Sequence, residues 1–261
     1  MRLDKFLAVS FIDTRKKSRD YIKEGKVKVN GEVIREPAME IKENTDIIEY
    51  LDKVVDYREK VYYMFYKPAG CITARKDADN KTVFDFFHED NINGIFHVGR
   101  LDKDTEGLLL FTNDGDFDHQ LMCPEKHVEK KYFFWALGSL DDEDRNRLEN
   151  GISIGKGETL TKPAKIEVVK CGNYEELEQE TDIGNFFKIQ SKYHHQSVVC
   201  GYLIISEGRK HQVKRMLKAV GCYVVYLKRI SIGGITLDET LEKGQYRMLT
   251  EEEVQKLVGK L

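Results

Sequence analysis

Leu108-Leu109-Leu110-Phe111 is the part of this 261-residue chain that leaves folding the least choice. Four consecutive apolar residues, followed by Asn113-Asp114-Gly115, read as a short strand closed by a turn. A strand with no polar face is expected to be buried. Directly before it stands a polar loop, Gly99-Arg100-Leu101-Asp102-Lys103-Asp104-Thr105-Glu106-Gly107. A carboxylate placed where a rigid strand begins can be held at one angle toward a cleft.

The charges of that loop have a bland reading, a solvated loop, and a sharper one, a calcium loop. Asp102, Asp104, Glu106 and Gly107 fit positions 1, 3, 5 and 6 of the calcium pattern, but Asn113 stands at position 12, where a bidentate Glu is needed. The upstream residues Gly94–Val98 look like a strand instead of the required helix. No metal is therefore expected here. The five cysteines, Cys71, Cys123, Cys171, Cys200 and Cys222, show no Cys-x-x-Cys spacing. They suggest neither a zinc site nor a disulfide framework, and a reducing cytoplasm suits them.

Charge is distributed unevenly. Residues 1–35 hold ten Lys and Arg against five acids, while the rest of the chain holds 32 against 40. A small basic module on a more acidic body is the natural reading. Within the module, Leu3, Phe6, Leu7 and Phe11 have helical spacing. Thr14 can cap a second helix running to about Glu24, and Gly25 can end it. Val27–Val29 and Glu32–Ile34 then flank Asn30-Gly31, the signature of a primed hairpin turn. Residues 49–60 show no clear period and read as a linker.

The body begins with a buried-strand run, Val61–Tyr66, ended by Lys67-Pro68. Further elements are a helical patch at 117–122, a strand from Glu129 to Trp135, a polar helix at about Asp141–Glu149 and a strand near Ala164–Val169. Residues 171–199 have no readable pattern; His194-His195 lies there and reads as solvent-exposed. Gly201–Ser206 reads as a strand, and Val213, Met216, Leu217 and Val220 mark one face of a helix ended by Gly221. Thr250 and Glu253 form a capping box for a last helix. No apolar run approaches the ~20 residues of a membrane helix, and the N-terminal residues lack a signal-peptide core.

Four separated motifs resemble known families. Gly-Arg-Leu-Asp-x-x-Thr-x-Gly-Leu-Leu-Leu-x-Thr-Asn-Asp-Gly (99–115) is similar to the signature of RNA pseudouridine synthases of the RsuA type. Lys130-x-Tyr132 matches that family's Lys-x-Tyr motif, and Glu207-Gly-Arg-Lys-His-Gln-Val-Lys-Arg-Met216 its third motif. At the N-terminus, Arg2-Leu-Asp-Lys-Phe-Leu7 and Gly25-x-Val-x-Val-Asn-Gly31 resemble the S4 RNA-binding domain. At Lys67 the family often has Asn-Lys-Pro, and Tyr66 replaces the Asn here.

The resemblance implies an α+β protein: a small S4 (αL-like) domain over 1–48, a linker over 49–60, and a catalytic domain with a mixed, largely antiparallel sheet over 61–261. It implies isomerisation of uridine to pseudouridine in ribosomal RNA by base flipping, with no cofactor, since no atoms are gained or lost. Asp102 would be the catalytic residue, as nucleophile at C1′ or base at C2′. A basic side chain would pair with it and favour its charged form, Lys214 matching that position best and Arg215 second. Tyr132 would stack on the uracil and is a candidate to remove the C5 proton. Arg100, Lys67, Lys130, Arg215 and Arg209 would contact substrate, and Arg100 could fill the space left by the flipped base. In the S4 module Arg2, Lys5, Arg15, Lys16 and Arg19 would meet RNA phosphates.

The endings Gly-Gly-Ile-Thr-Leu-Asp (233–238) and Gly-Gln-Tyr-Arg-x-Leu-Thr-Glu-Glu-Glu (244–253) point to 16S rRNA within the family, with 23S rRNA as the alternative. The expected partner is ribosomal RNA, within ribosomal assembly intermediates, for a cytoplasmic monomer with no membrane contact. The rival from another class is a non-catalytic S4-type RNA-binding or ribosome-assembly protein.

Overall fold

The computed structural model describes residues 1–10, 13–42, 45–55, 60–88 and 94–258. They divide into two compact units, the first comprising Met1–Val61 with the short segments His88–Phe96 and Thr112–Gly115, the second the remainder.

The first unit opens with helices α1 (Leu3–Val9) and α2 (Arg15–Lys23). Thr14 caps α2, its hydroxyl accepting from the Lys17 N–H at 3.4 Å, and Gly25 follows at φ 76°. Strands β1 (Val27–Val29), β2 (Glu32–Ile34), β3 (Ile48–Tyr50) and β4 (Lys53–Val54) form a sheet in the order β2-β1-β3-β4. Asn30 (φ 52°) and Gly31 (φ 85°) supply the left-handed pair that a primed hairpin turn requires. Leu3, Phe6, Leu7, Ile22, Val27 and Ile48 make the core.

The linker expected over 49–60 needs correction. Glu49 to Val54 complete the sheet as β3 and β4, and Val55 is buried in the core. Strands of two and three residues are too short to show a period, so composition alone concealed them. Residues 56–59 lie outside the described residues.

In the second unit the elements are β5 (Tyr62–Lys67), β6 (Phe96–Val98), β7 (Glu106–Thr112), α3 (Gly115–Met122), β8 (Lys130–Leu137), α4 (Asp142–Asn150) and β9 (Lys165–Asn173). There follow α5 (Tyr174–Glu180), β10 (Ser197–Ile205), α6 (Gln212–Ala219), β11 (Tyr223–Ile232), β12 (Ile235–Thr236), β13 (Tyr246–Met248) and α7 (Glu251–Val258). The sheet runs β13-β5-β7-β11-β8-β10-β9. Its β5–β13, β8–β11, β8–β10 and β9–β10 pairs are antiparallel, and β7–β11 is parallel. The architecture is the expected mixed, largely antiparallel α+β one.

Every residue of β7 is buried, because both faces of the central strands are covered. On one side Leu108 and Leu110 pack with Met64 and Tyr66 against Phe117 and Leu121 of α3 and Leu257 of α7. On the other, Phe111 meets Phe65, Phe84 and Phe87 with ring centroids 4.6–5.8 Å apart. Each such large apolar side chain contributes about 1.5–3 kcal/mol through burial. Thr250 and Glu253 form the capping box of α7, with bonds of 2.8 and 3.2 Å.

Two regions escaped the sequence. In 171–199, Asn173 and Glu176 form a capping box for α5, and Tyr174, Leu177 and Ile183 are buried against Trp135. His194 is half-buried there, its ring 5.0 Å from Tyr174, while His195 is exposed. Strand β11 was hidden because its register shifts between Val224 and Tyr226 and again between Arg229 and Ser231. Such bulges destroy the period-2 pattern. No helix among the described residues is long and apolar enough to cross a membrane.

Candidate active site

The loop carrying Asp102 is braced from beneath. Thr73 Oγ1 donates to the Leu101 carbonyl (2.8 Å) and accepts from its N–H (3.2 Å). The Gly70 N–H donates to Lys103 O (2.8 Å), and that of Thr105 to Asp102 O (3.1 Å). Lys67, at the end of β5, has no exposed surface. Its ammonium donates to the carbonyls of Thr105 (2.9 Å), Pro68 (3.1 Å) and Lys103 (3.4 Å). Burial pushes the Lys67 pKa down, against the opposing pull of Cys71, Asp104, Asp102 and Glu106. The expectation that Lys67 contacts substrate is corrected. An ammonium has three donors, and all three are used on main chain.

Asp102 is partly exposed at the end of this support. Helix α6 brings Lys214 Nζ to 3.5 Å from Asp102 Oδ2, and His211, at its N-cap, brings Nε2 to 3.5 Å from Oδ1. Lys214 is closer still to Asp104, at 2.5 Å. Burial raises the Asp104 pKa, but the Lys214 hydrogen bond and charge outweigh that and hold it below the usual carboxylate range. Glu106 is buried elsewhere, accepting from Tyr226 (2.9 Å) and Lys243 (2.8 Å). The three acids that fit calcium spacing are thus engaged with cations and a hydroxyl.

Strand β11 joins the remaining pieces. Arg229 stands opposite Gly107 of β7 on one side and Tyr132 of β8 on the other. Gly107 has φ 105°, and a Cβ there would lie 2.2 Å from the Arg229 carbonyl oxygen, so the strands meet this closely only with glycine. Arg229 is 3% exposed. Its Nε donates to Leu108 O at 2.7 Å and its Nη1 to Tyr132 Oη at 3.5 Å, while Nη2 has no hydrogen-bond partner among the described residues. Leaving a buried donor unmatched costs about 1–3 kcal/mol, more when it is charged.

Asp102, Tyr132, Lys214, Lys130, Arg229 and His211 line one cleft of about 580 Å³. Arg100 is exposed and also lines it. Lys130 is buried with its ammonium 3.1 Å from Val128 O; burial, then the nearby Arg229 charge, push its pKa down to about 8. An ordinary lysine titrates at 10.5. Between these values the folded protein binds fewer protons than the unfolded chain, so stability rises with pH. Wild type is expected to gain about 2–3 kcal/mol from this residue between pH 8 and 10.5. Urea denaturation across that range should show the gain, and Lys130→Met should lack it; parallel curves for the two proteins refute the assignment.

Two other sequence-predicted substrate contacts have their guanidinium groups engaged with the protein itself. Arg209 lines the cleft, but its guanidinium donates to Glu207 (3.2 Å), Thr159 O (2.7 Å) and Leu160 O (2.8 Å). Arg215 holds Ile154 O (3.0 Å), Lys210 O (3.2 Å) and Glu158. Both side chains tie down the segment 154–160; Arg209 does so from the cleft wall, whereas Arg215 does not line the cleft. Sequence reasoning also missed Arg229 and His211. An Arg between Lys228 and Ile230 looks like solvent-facing charge, and nothing local reveals that its strand is central.

In the first unit, Asp4 is fully buried and gathers three half-exposed arginines. Its carboxylate accepts from Arg19 (2.7 Å), Arg2 (3.1 Å) and Arg15 (3.3 Å). Burial raises its pKa, yet these bonds bring it below the usual value. Lys16 is exposed and Lys5 is partly so.

Comparison with known proteins gives the family of both parts of the chain. Residues 61–219 match the family described as RNA pseudouridylate synthase, and residues 1–47 match the S4 domain. The chain is 42% identical over 259 residues to an uncharacterized RNA pseudouridine synthase, YtzG, of Bacillus subtilis, covering 97% of each. It is 36% identical over 259 residues to ribosomal small subunit pseudouridine synthase A of Haemophilus influenzae, covering 99% of this chain and 100% of the relative. A crystal structure of a pseudouridylate synthase superposes with a TM-score of 0.64 at 34% identity, covering 98% of this chain and 99% of the other.

Proposed function

The chain belongs to the RNA pseudouridylate synthase family, with an S4 domain at its N-terminus, and we propose that it isomerises a uridine of small-subunit (16S) ribosomal RNA. The observation that carries the reading is the cleft in which Asp102, flanked by Lys214 and His211 at 3.5 Å, opens onto Tyr132. Relatives named for the small ribosomal subunit support the choice of RNA.

The reaction moves the uracil from N1 to C5. The N1–C1′ bond breaks with its electron pair on the base, the uracil turns, C5 bonds to C1′, the C5 proton leaves, and N1 takes up a proton. Asp102 acts at the sugar, where its charge is supported by two neighbouring basic side chains. Tyr132 is 8% exposed, a fixed surface against which the uracil can stack. Arg100, at the exposed edge, takes the place of the extruded base in the helix, offsetting an unstacking cost of about a few kcal/mol. The S4 arginines bind phosphate outside the cleft, so binding energy there helps meet that cost.

The reading is tested by incubating the protein with RNA carrying tritium at uracil C5, as 16S and 23S transcripts and as ribosomal assembly intermediates. Release of tritium from 16S material is the expected result. Release from 23S alone moves the substrate to the large subunit. Tight binding without release from any of these establishes the rival, a non-catalytic S4-type binding protein.

The arginine cluster has its own test. Each phosphate contact contributes ~0.7–0.9 to the slope of log affinity against log salt. Arg15→Gln with Arg19→Gln should reduce the slope by about 1–2. A slope equal to that of wild type removes both residues from the RNA interface.

A further inference from the structure

Two of the buried side-chain polar atoms with no hydrogen-bond partner among the described residues belong to residues that line the same cleft. They are Arg229 Nη2 and Thr105 Oγ1, on residues 3% and 1% exposed. Their placement is specific, because Gly107, two residues after Thr105, stands opposite Arg229 across the parallel β7–β11 pair. The Thr105 carbonyl is held by Lys67 at 2.9 Å and its N–H by Asp102 O at 3.1 Å, so the residue is anchored while its hydroxyl stays unmatched. Arg229 is likewise anchored through Nε on Leu108 O at 2.7 Å.

We infer that Arg229 and Thr105 read the edge of the flipped uracil, Arg229 donating to a carbonyl oxygen and Thr105 accepting from N3–H. The inference rests on the function proposed above. Uracil presents acceptor, donor and acceptor along this edge. Cytosine has an amino group in place of O4 and a bare N3, so it offers neither an acceptor to the guanidinium at that end nor a proton to the hydroxyl. The same guanidinium has a second effect. When N1–C1′ breaks, the bonding pair remains on the uracil and spreads over N1, O2 and O4, and a fixed cation at one of these oxygens stabilises that charge. No proton, oxidant or further reactant is needed for this step.

The test first maps the modified uridine in RNA treated with wild type, then uses short RNAs carrying uridine or cytidine at that site. Wild type, Arg229→Lys, Arg229→Gln and Thr105→Val are compared for melting temperature, for kcat and KM of tritium release, and, in an Asp102→Asn background, for affinity. Arg229→Gln should lose roughly 100-fold in kcat with little change in KM, and Thr105→Val about tenfold. The Asp102→Asn protein should prefer uridine RNA over cytidine RNA by about tenfold, and adding either substitution should abolish the preference. A merely structural role would lower melting temperature and leave that preference intact. Folded variants that keep kcat within about twofold, or keep the preference, overturn the inference. Should Arg229→Gln fail to fold, Thr105→Val and Arg229→Lys decide by the same criteria. If wild type releases no tritium from any ribosomal RNA, the proposed function falls and the inference falls with it; release by wild type with unaltered variants sinks the inference alone.

Discussion

Asp102→Asn is expected to fold, to bind ribosomal RNA as wild type does, and to lose tritium release by roughly 10⁴-fold or more. The amide has the shape of the carboxylate but neither its charge nor its nucleophilicity, so the change removes chemistry and little else. Its stability cost is small, because Asp102 is partly exposed and its contacts to Lys214 and His211 are each 3.5 Å long. Partly exposed pairs of this kind contribute about 0–1 kcal/mol. Lys214 also retains Asp104 at 2.5 Å, so it is not left as an isolated charge. The comparison needs three measurements on one preparation: thermal unfolding, RNA affinity and tritium release. Wild-type turnover by the variant would remove Asp102 from the mechanism.

Lys67→Met should harm both stability and rate. Methionine fills a similar volume, but the carbonyls of Thr105, Pro68 and Lys103 lose their common donor. Unmatched buried acceptors cost about 1–3 kcal/mol each, and removing a desolvated ammonium returns part of that. The net expectation is a loss of about 2–4 kcal/mol. Because the carbonyls belong to the turn that aims Asp102, kcat should fall by roughly 10–100-fold. KM should scarcely change, since all three Lys67 donors are already held by main-chain carbonyls. The opposite pattern, a raised KM and a lower salt slope with unchanged melting, would make Lys67 a phosphate ligand and refute the brace.

Where the sequence was legible, a local physical cause was present. The helix of residues 15–23 was visible because Thr14 caps it and Gly25 ends it, both short-range effects. The hairpin was visible because Asn30-Gly31 supplies two left-handed residues. Leu108–Phe111 announced a buried strand because four apolar residues cannot lie at a surface together. Asp102, Tyr132 and Lys214 were recognisable through the motifs around them, each with a residue pattern unusual enough to stand out.

Other features had no local cause. Residues 49–54 looked like a linker because short strands are stabilised by their neighbours in the sheet and not by their own pattern. Lys67, Arg209 and Arg215 looked like substrate contacts because a basic side chain near a motif has the same appearance whether its donors face solvent or main chain. Beside the near neighbours Pro68, Glu207 and Lys210, their partners are 36–38, 49–50 and 57–61 residues away.

The sequence by itself determined the two-module plan, the all-apolar buried strand and the motifs that carry the acid, the aromatic ring and the basic helix. Only the tertiary structure decided which charges are free to act. Pairing β11 with both β7 and β8 placed Arg229 between Gly107 and Tyr132, and the packing of α6 brought Lys214 and His211 to Asp102. The physical reason is that strand and cap preferences act over a few residues, whereas a hydrogen bond or ion pair depends on distances that chain topology sets across more than a hundred.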